Sequence, residues 1–132
     1  MNGVILYIED NPDNMAVVQR AIEAIGYRFE GAVNATDGLR AICEHTPDLL
    51  LLDINLPDVD GYAIARWIRQ HDNKKISTLP IIAITAYALR GDAEKALDAG
   101  CDVFMAKPIS IRELWAQVEG FMQNHQPQSE GF

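Results

Sequence analysis

Four short apolar runs each end in a side chain that can do chemistry. Glu9 and Asp10 follow residues 4–8, Asp53 follows residues 49–52, Thr85 follows residues 81–84, and Lys107 follows residues 102–106. If these runs are parallel strands of one sheet, their C-terminal ends share an edge and the groups meet in one crevice. Three carboxyl groups, a hydroxyl and an ammonium are the parts of a site for a divalent cation and a phosphoryl group. Asp58 and Asp60 follow soon after Asp53 and add to the local negative charge that a cation would meet.

The elements needed to position these groups are legible as an alternation. Short runs rich in branched residues alternate five times with longer segments of helical period. After the first strand, Asn11 and Pro12 supply a cap and a first helical residue. Met15, Val18, Ile22 and Ile25 then recur at helical steps until Gly26. A weaker strand near residues 29–33 leads to Thr36 as candidate N-cap of a helix whose Leu39, Ile42 and Cys43 share a face. Four consecutive leucines between Asp48 and Asp53 read as a central strand buried on both faces, and Pro57 and Gly61 mark the loop beyond it.

A third helix is predicted over residues 62–71. Pro80 opens a fourth strand, and Gly91 and Gly100 bracket a fourth helix with Ala93, Ala96 and Leu97 inward. A fifth strand and a helix opened by a capping box, Ser110 with Glu113, complete the pattern, with Leu114, Val118 and Phe121 on its apolar stripe. The expected fold class is α/β: a (βα)5 doubly wound, five-stranded parallel sheet in a flavodoxin-like three-layer sandwich. Residues 1–122 form the expected domain, and 123–132, polar with Pro127 and Gly131, form a flexible tail.

A chain of 132 residues, 48% hydrophobic and 23% charged, fits one soluble domain. Its net charge of −8 opposes direct nucleic-acid binding. Two cysteines, Cys43 and Cys101, have no metal or disulfide spacing and read as small buried apolar groups in a reducing cytoplasm. His45, His71 and His125 read as surface residues, and Trp67 and Trp115 as partly buried packing residues. Neither a signal segment nor an apolar run of membrane-spanning length is present, so a cytoplasmic protein is expected.

Taken together, Glu9-Asp10, the leucine strand ending in Asp53, Pro57, Gly61, Thr85-Ala86 and Lys107-Pro108 resemble the receiver domain of two-component response regulators, in order and spacing over residues 3 to about 122. Two carboxylates about 6 Å apart repel by about 3 kcal/mol at an effective dielectric of about 20, so clustered acids need raised pKa values or a cation. Mg2+, or Mn2+, suits such oxygen ligands. The resemblance implies Asp10 and Asp53 as direct ligands, Glu9 acting through water, and the backbone carbonyl of Asn55 as a further ligand.

It further implies that Asp53 is the phosphoacceptor, taking its phosphoryl group from a phosphohistidine on a histidine kinase or histidine phosphotransfer protein. Lys107 would pair with phosphoryl oxygens, Thr85 would hydrogen-bond to the phosphate, and the Lys107-Pro108 bond would be cis. Phe104 would be the switch aromatic, favouring the inward rotamer because it lacks a hydroxyl to satisfy. Asn55 and Tyr87 would tune dephosphorylation, Tyr87 by shielding the acyl phosphate. Output would be protein contact through the face from Leu89 to Met122, with room for a phosphorylation-dependent dimer. Apart from this self-directed phosphotransfer and autodephosphorylation, no enzyme activity is expected.

Rival readings fare worse. A flavin binder needs a phosphate loop where the chain has Glu9-Asp10. An aspartyl phosphatase typically has a second acid two residues after its nucleophile, where the chain has Asn55. A receiver excised from a hybrid histidine kinase or larger regulator is the alternative to a stand-alone one, and a degenerate binding module is less favoured because every signature residue is present.

Overall fold

Isoleucine and leucine at successive positions leave a strand no polar face, so such strands are stable only where both sides are covered. The computed structural model, which describes residues 3–86 and 91–124, shows this arrangement. Strands β1 (Val4–Ile8), β2 (Arg28–Ala32), β3 (Leu49–Asp53), β4 (Ile81–Thr85) and β5 (Val103–Ala106) form one sheet in the order β2-β1-β3-β4-β5. Every pairing is parallel. The expected fold class is the one observed.

Alternation along the strands sends neighbouring side chains to opposite faces. Leu6, Ile8, Leu50, Leu52, Ile81 and Ala83 pack under α2 (Ala35–Glu44), α3 (Gly61–Arg69), α4 (Lys74–Ser77) and α5 (Asp92–Ala99). Ile5, Tyr7, Leu49, Leu51, Ile82 and Ile84 pack under α1 (Pro12–Ala24) and α6 (Ile111–Asn124). The order of strands reverses between β1 and β3, which opens a crevice at their C-terminal ends.

Several local expectations are corrected. Asn34, not Thr36, caps α2: its side chain accepts from Asp37 N at 2.8 Å, and helix begins at Ala35. Cys43 does not share the buried face of Ile42 and is exposed, whereas Cys101 is buried. Burial pushes the Cys101 thiol up to about 11. Leu97 is 55% exposed, because α5 rests on Ala96 and Ala99, whose small side chains let the helix lie close to its support. The short α4 had no sequence signal beyond its cap, Asn73. Ser110 makes one half of the capping box, accepting from Glu113 N at 3.2 Å. Helix α6 continues through Asn124, two residues past the expected end. Tyr87, Leu89, His125 and the rest of the predicted tail lie outside the described residues.

The tryptophans differ. Trp115 is partly buried and donates from Nε1 to Ala21 O at 2.8 Å, tying α6 to α1. Trp67 is 37% exposed and meets His71 edge to face, ring centroids 5.1 Å apart. His45 is exposed and pairs with Glu30 at 2.7 Å. Arg69, unremarkable in sequence, donates to the carbonyls of Ser77, Leu79 and Gly100 and to the Asp102 carboxylate. It joins α3 to the starts of β4 and β5.

One glycine bears directly on the crevice. A Cβ on Gly61 would lie 2.6 Å from Ile54 Cα and 3.0 Å from Asp53 O, both backbone atoms that cannot swing aside. Gly61 thus lets α3 start against the chain that carries Asp53. Gly61→Ala is expected to cost about 1–2 kcal/mol in urea denaturation, as overpacking does. An unchanged midpoint would contradict this close approach.

Candidate functional site

Parallel pairing brings the C-terminal ends of β1, β3, β4 and β5 to one edge. Glu9 follows β1 and is fixed there by its N–H to Ala32 O at 2.9 Å. Asp53 and Thr85 are the last residues of β3 and β4, and Lys107 follows β5 with its N–H on Thr85 O at 2.8 Å. Glu9 and Asp53 are each 1% exposed and Thr85 2%, while Asp10 is exposed.

The side chains converge. One carboxylate oxygen from each of Glu9, Asp10 and Asp53 lies within 4.8 Å of the others. Lys107 Nζ reaches Glu9 Oε1 at 3.3 Å and Asp53 Oδ2 at 3.2 Å. Asn55 N donates to Asp53 Oδ1 at 2.9 Å. Thr85 joins the group through Asn55, whose Oδ1 accepts from Thr85 Oγ1 at 3.2 Å and from Ala86 N at 2.9 Å. The Lys107-Pro108 peptide bond is cis. Phe104 is partly buried and packs against the core on the α2–α5 side of the sheet.

Asp58 and Asp60 do not belong to this group. Asp58 is exposed in the loop, and Asp60 caps α3 by accepting from Tyr62 N at 2.9 Å. Further donors reach the Glu9 carboxylate. Tyr7 OH donates to Glu9 Oε1 at 2.7 Å, Asn14 Nδ2 to the same atom at 3.4 Å, and Asn11 N to Glu9 Oε2 at 3.1 Å. Two residues before Glu9 on an extended chain, Tyr7 points to the same side, and that spacing was the available signal.

Crowded acids share charge unequally. Burial raises the Asp53 carboxyl, the Asn55 N–H opposes it and the Glu9 charge adds to it; the outcome is a value pushed up to about 6. For Glu9, burial is outweighed by hydrogen bonds from Tyr7, Asn11 and Asp53 and by the Lys107 charge, which hold it below the usual carboxylate value. Burial, the hydrogen bond to Glu9 and the surrounding carboxylates push the Tyr7 phenol far above its ordinary range. A low-dielectric pocket with three carboxylates and one ammonium has the donor chemistry of a magnesium site: oxygen ligands, one of them open to water.

Comparison with known proteins agrees with this geometry. The sequence model of the response regulator receiver domain matches residues 5–119. The polar-differentiation response regulator DivK of Brucella anthropi is 35% identical over 118 residues, 89% of this chain and 94% of the relative. Among solved structures, the receiver domain of a sensor histidine kinase from Pseudomonas aeruginosa, with magnesium coordinated in its active-site cleft, is 35% identical with a TM-score of 0.82, covering 92% of this chain and 98% of that one. A CheY-like receiver domain protein from Methanospirillum hungatei superposes with a TM-score of 0.84 at 26% identity, over 94% and 96% of the two chains. No helix among the described residues is long and apolar enough to cross a membrane. The chain belongs to the response regulator receiver domain family, the phosphoacceptor modules of two-component signalling.

Proposed function

We propose that Asp53 is the phosphoacceptor, taking a phosphoryl group from a phosphohistidine on a histidine kinase or histidine phosphotransfer protein. The observation that carries this reading is the pinned state of its carboxylate. Asn55 N holds Oδ1 while Lys107 holds Oδ2, 1% exposed and beside two further acids. A fixed carboxylate at the mouth of a crevice is aligned for attack on phosphorus. Its oxygen forms the new bond to phosphorus as the bond to the donor imidazole breaks, leaving a mixed anhydride.

Asp10, Asp53 and the Asn55 carbonyl would hold Mg2+, with Glu9 acting through water. Bound there, the ion supplies positive charge that offsets repulsion between the acceptor and an anionic donor. Lys107 then pairs with phosphoryl oxygens as a mobile cation. Thr85 trades its hydrogen bond to Asn55 for one to the phosphate, and Phe104 turns further inward behind it. That rearrangement changes the surface from α5 to Met122, through which a downstream protein, or a second copy, is contacted. Asn55 and Tyr87 set the lifetime of the acyl phosphate by controlling access of water, and the compartment is the cytoplasm.

The chain incubated with acetyl phosphate and Mg2+ should gain about 80 Da by intact mass spectrometry, reflecting one phosphoryl group. Borohydride trapping should place the adduct on Asp53. A mass unchanged under conditions that preserve acyl phosphates, or an adduct on another residue, refutes the assignment.

A further inference from the structure

Tyr7 is the one hydroxyl-bearing side chain among the buried residues of its core layer. It lies in β1, paired with Gly31 of β2 and Leu51 of β3, and is packed with Ile5, Val18, Ile22 and Leu49 at 0% exposure. A phenol in such surroundings must find a partner or lose its hydration without return. Its partner is Glu9 Oε1 at 2.7 Å, closer than the approaches of Asn11 N, Asn14 Nδ2 and Lys107 Nζ to the same carboxylate. Oε2 meanwhile accepts from Asn11 N at the start of α1. Glu9 is therefore fastened at both oxygens, one to the interior of the sheet and one to a helix N-terminus.

We infer that Tyr7 is a positioning residue for the divalent cation, holding the Glu9 carboxylate from beneath in the orientation that serves an ion at Asp10 and Asp53. The inference rests on the magnesium site of the proposed function. Groups that orient ligands in this way are typically worth about 10- to 100-fold in metal affinity. Phenylalanine would fill the same volume and leave Glu9 Oε1 without its closest donor.

Isothermal titration of the metal-free chain with MgCl2 tests this in four proteins: wild type, Tyr7→Phe, Glu9→Gln and the double variant. Tyr7→Phe should bind about 10-fold more weakly than wild type. In the Glu9→Gln background the same change should be nearly silent, because the residue acts through Glu9. In chain labelled with [13C]tyrosine, the Tyr7 Cζ resonance should move on adding Mg2+ and stay still in Glu9→Gln. Far-ultraviolet circular dichroism checks that each variant is folded, and Tyr7→Leu offers a second hydroxyl-free variant with the same expected loss. Equal affinity of Tyr7→Phe and wild type, or an equal loss in both backgrounds, overturns the positioning role alone. A wild type that binds no magnesium overturns the metal-site reading and this inference with it.

Discussion

Asparagine in place of Asp53 is expected to yield a chain that takes no phosphoryl group and is more stable than wild type at pH 7.5 without divalent cations. Loss of the adduct follows from loss of the only proposed nucleophile. The gain in stability follows from burial. Moving this carboxyl from its ordinary 3.8 to about 6 corresponds to about 3 kcal/mol against the ionised form. A carboxyl raised in the folded state binds its proton more tightly there than when unfolded. Its penalty is therefore full above about pH 6, shrinks as pH falls, and is gone below 3.8.

Asparagine keeps an oxygen for the Asn55 N–H and removes the charge. Urea denaturation in chelator should show Asp53→Asn about 2 kcal/mol more stable at pH 7.5, less than the full penalty because an amide is also costly to bury. The two proteins should converge toward pH 4. Glu9 works in the opposite sense: its lowered value contributes stability above its ordinary 4.5 that is lost as pH falls through the folded value. Wild type should thus be most stable in mildly acid solution, and Mg2+ should stabilise it by mass action while leaving Asp53→Asn nearly unmoved. A variant less stable than wild type at pH 7.5 would mean that the acids are not in conflict.

The strands were legible because a doubly covered sheet leaves an unmixed apolar signature, as in Leu49 to Leu52, and a parallel sheet then dictates where each strand end must lie. Glu9, Asp10, Asp53 and Lys107 could be gathered on paper for that reason. Contacts across distant loops had no such signature. The Asn55 side chain bridges to Thr85 and Ala86 across 30 and 31 residues, and no local pattern announces an amide used in that way. Asp60 looked like part of the acid cluster because sequence neighbours need not share a site, and capping α3 claims it instead.

Faces of short helices were similarly ambiguous. Leu97 and Cys43 each adjoin a buried residue, but one step along a helix turns a side chain by about 100°, enough to carry it into solvent. Asn34 and Thr36 are both competent caps, and only the start of helical backbone at Ala35 decides between them.

Removing the charge of Lys107 should have the largest effect on stability, opposite in sign to that of Asp53→Asn. Its side chain, 20% exposed, is the cation shared by two acids that are 1% exposed each. Taking one partner from a buried ion pair typically costs about 3–5 kcal/mol, since the remaining charge keeps its desolvation penalty. Partial exposure places Lys107→Ala at the lower end, about 3 kcal/mol at pH 7.5 without Mg2+. Two controls separate charge from packing. Lys107→Met keeps the apolar stem and should lose nearly as much. The Lys107→Ala, Asp53→Asn double variant should recover most of the loss, because Glu9 is then the one buried carboxylate left in the pocket, Asp10 being exposed to solvent. Without the ammonium, Asp53 should hold its proton to still higher pH, so the deficit narrows on acidification. Saturating Mg2+ should narrow it as well, since a second cation can answer the same two carboxylates. A deficit indifferent to pH, to Mg2+ and to Asp53→Asn would assign Lys107 to packing, and the lysine's electrostatic link to the acceptor would be lost with it.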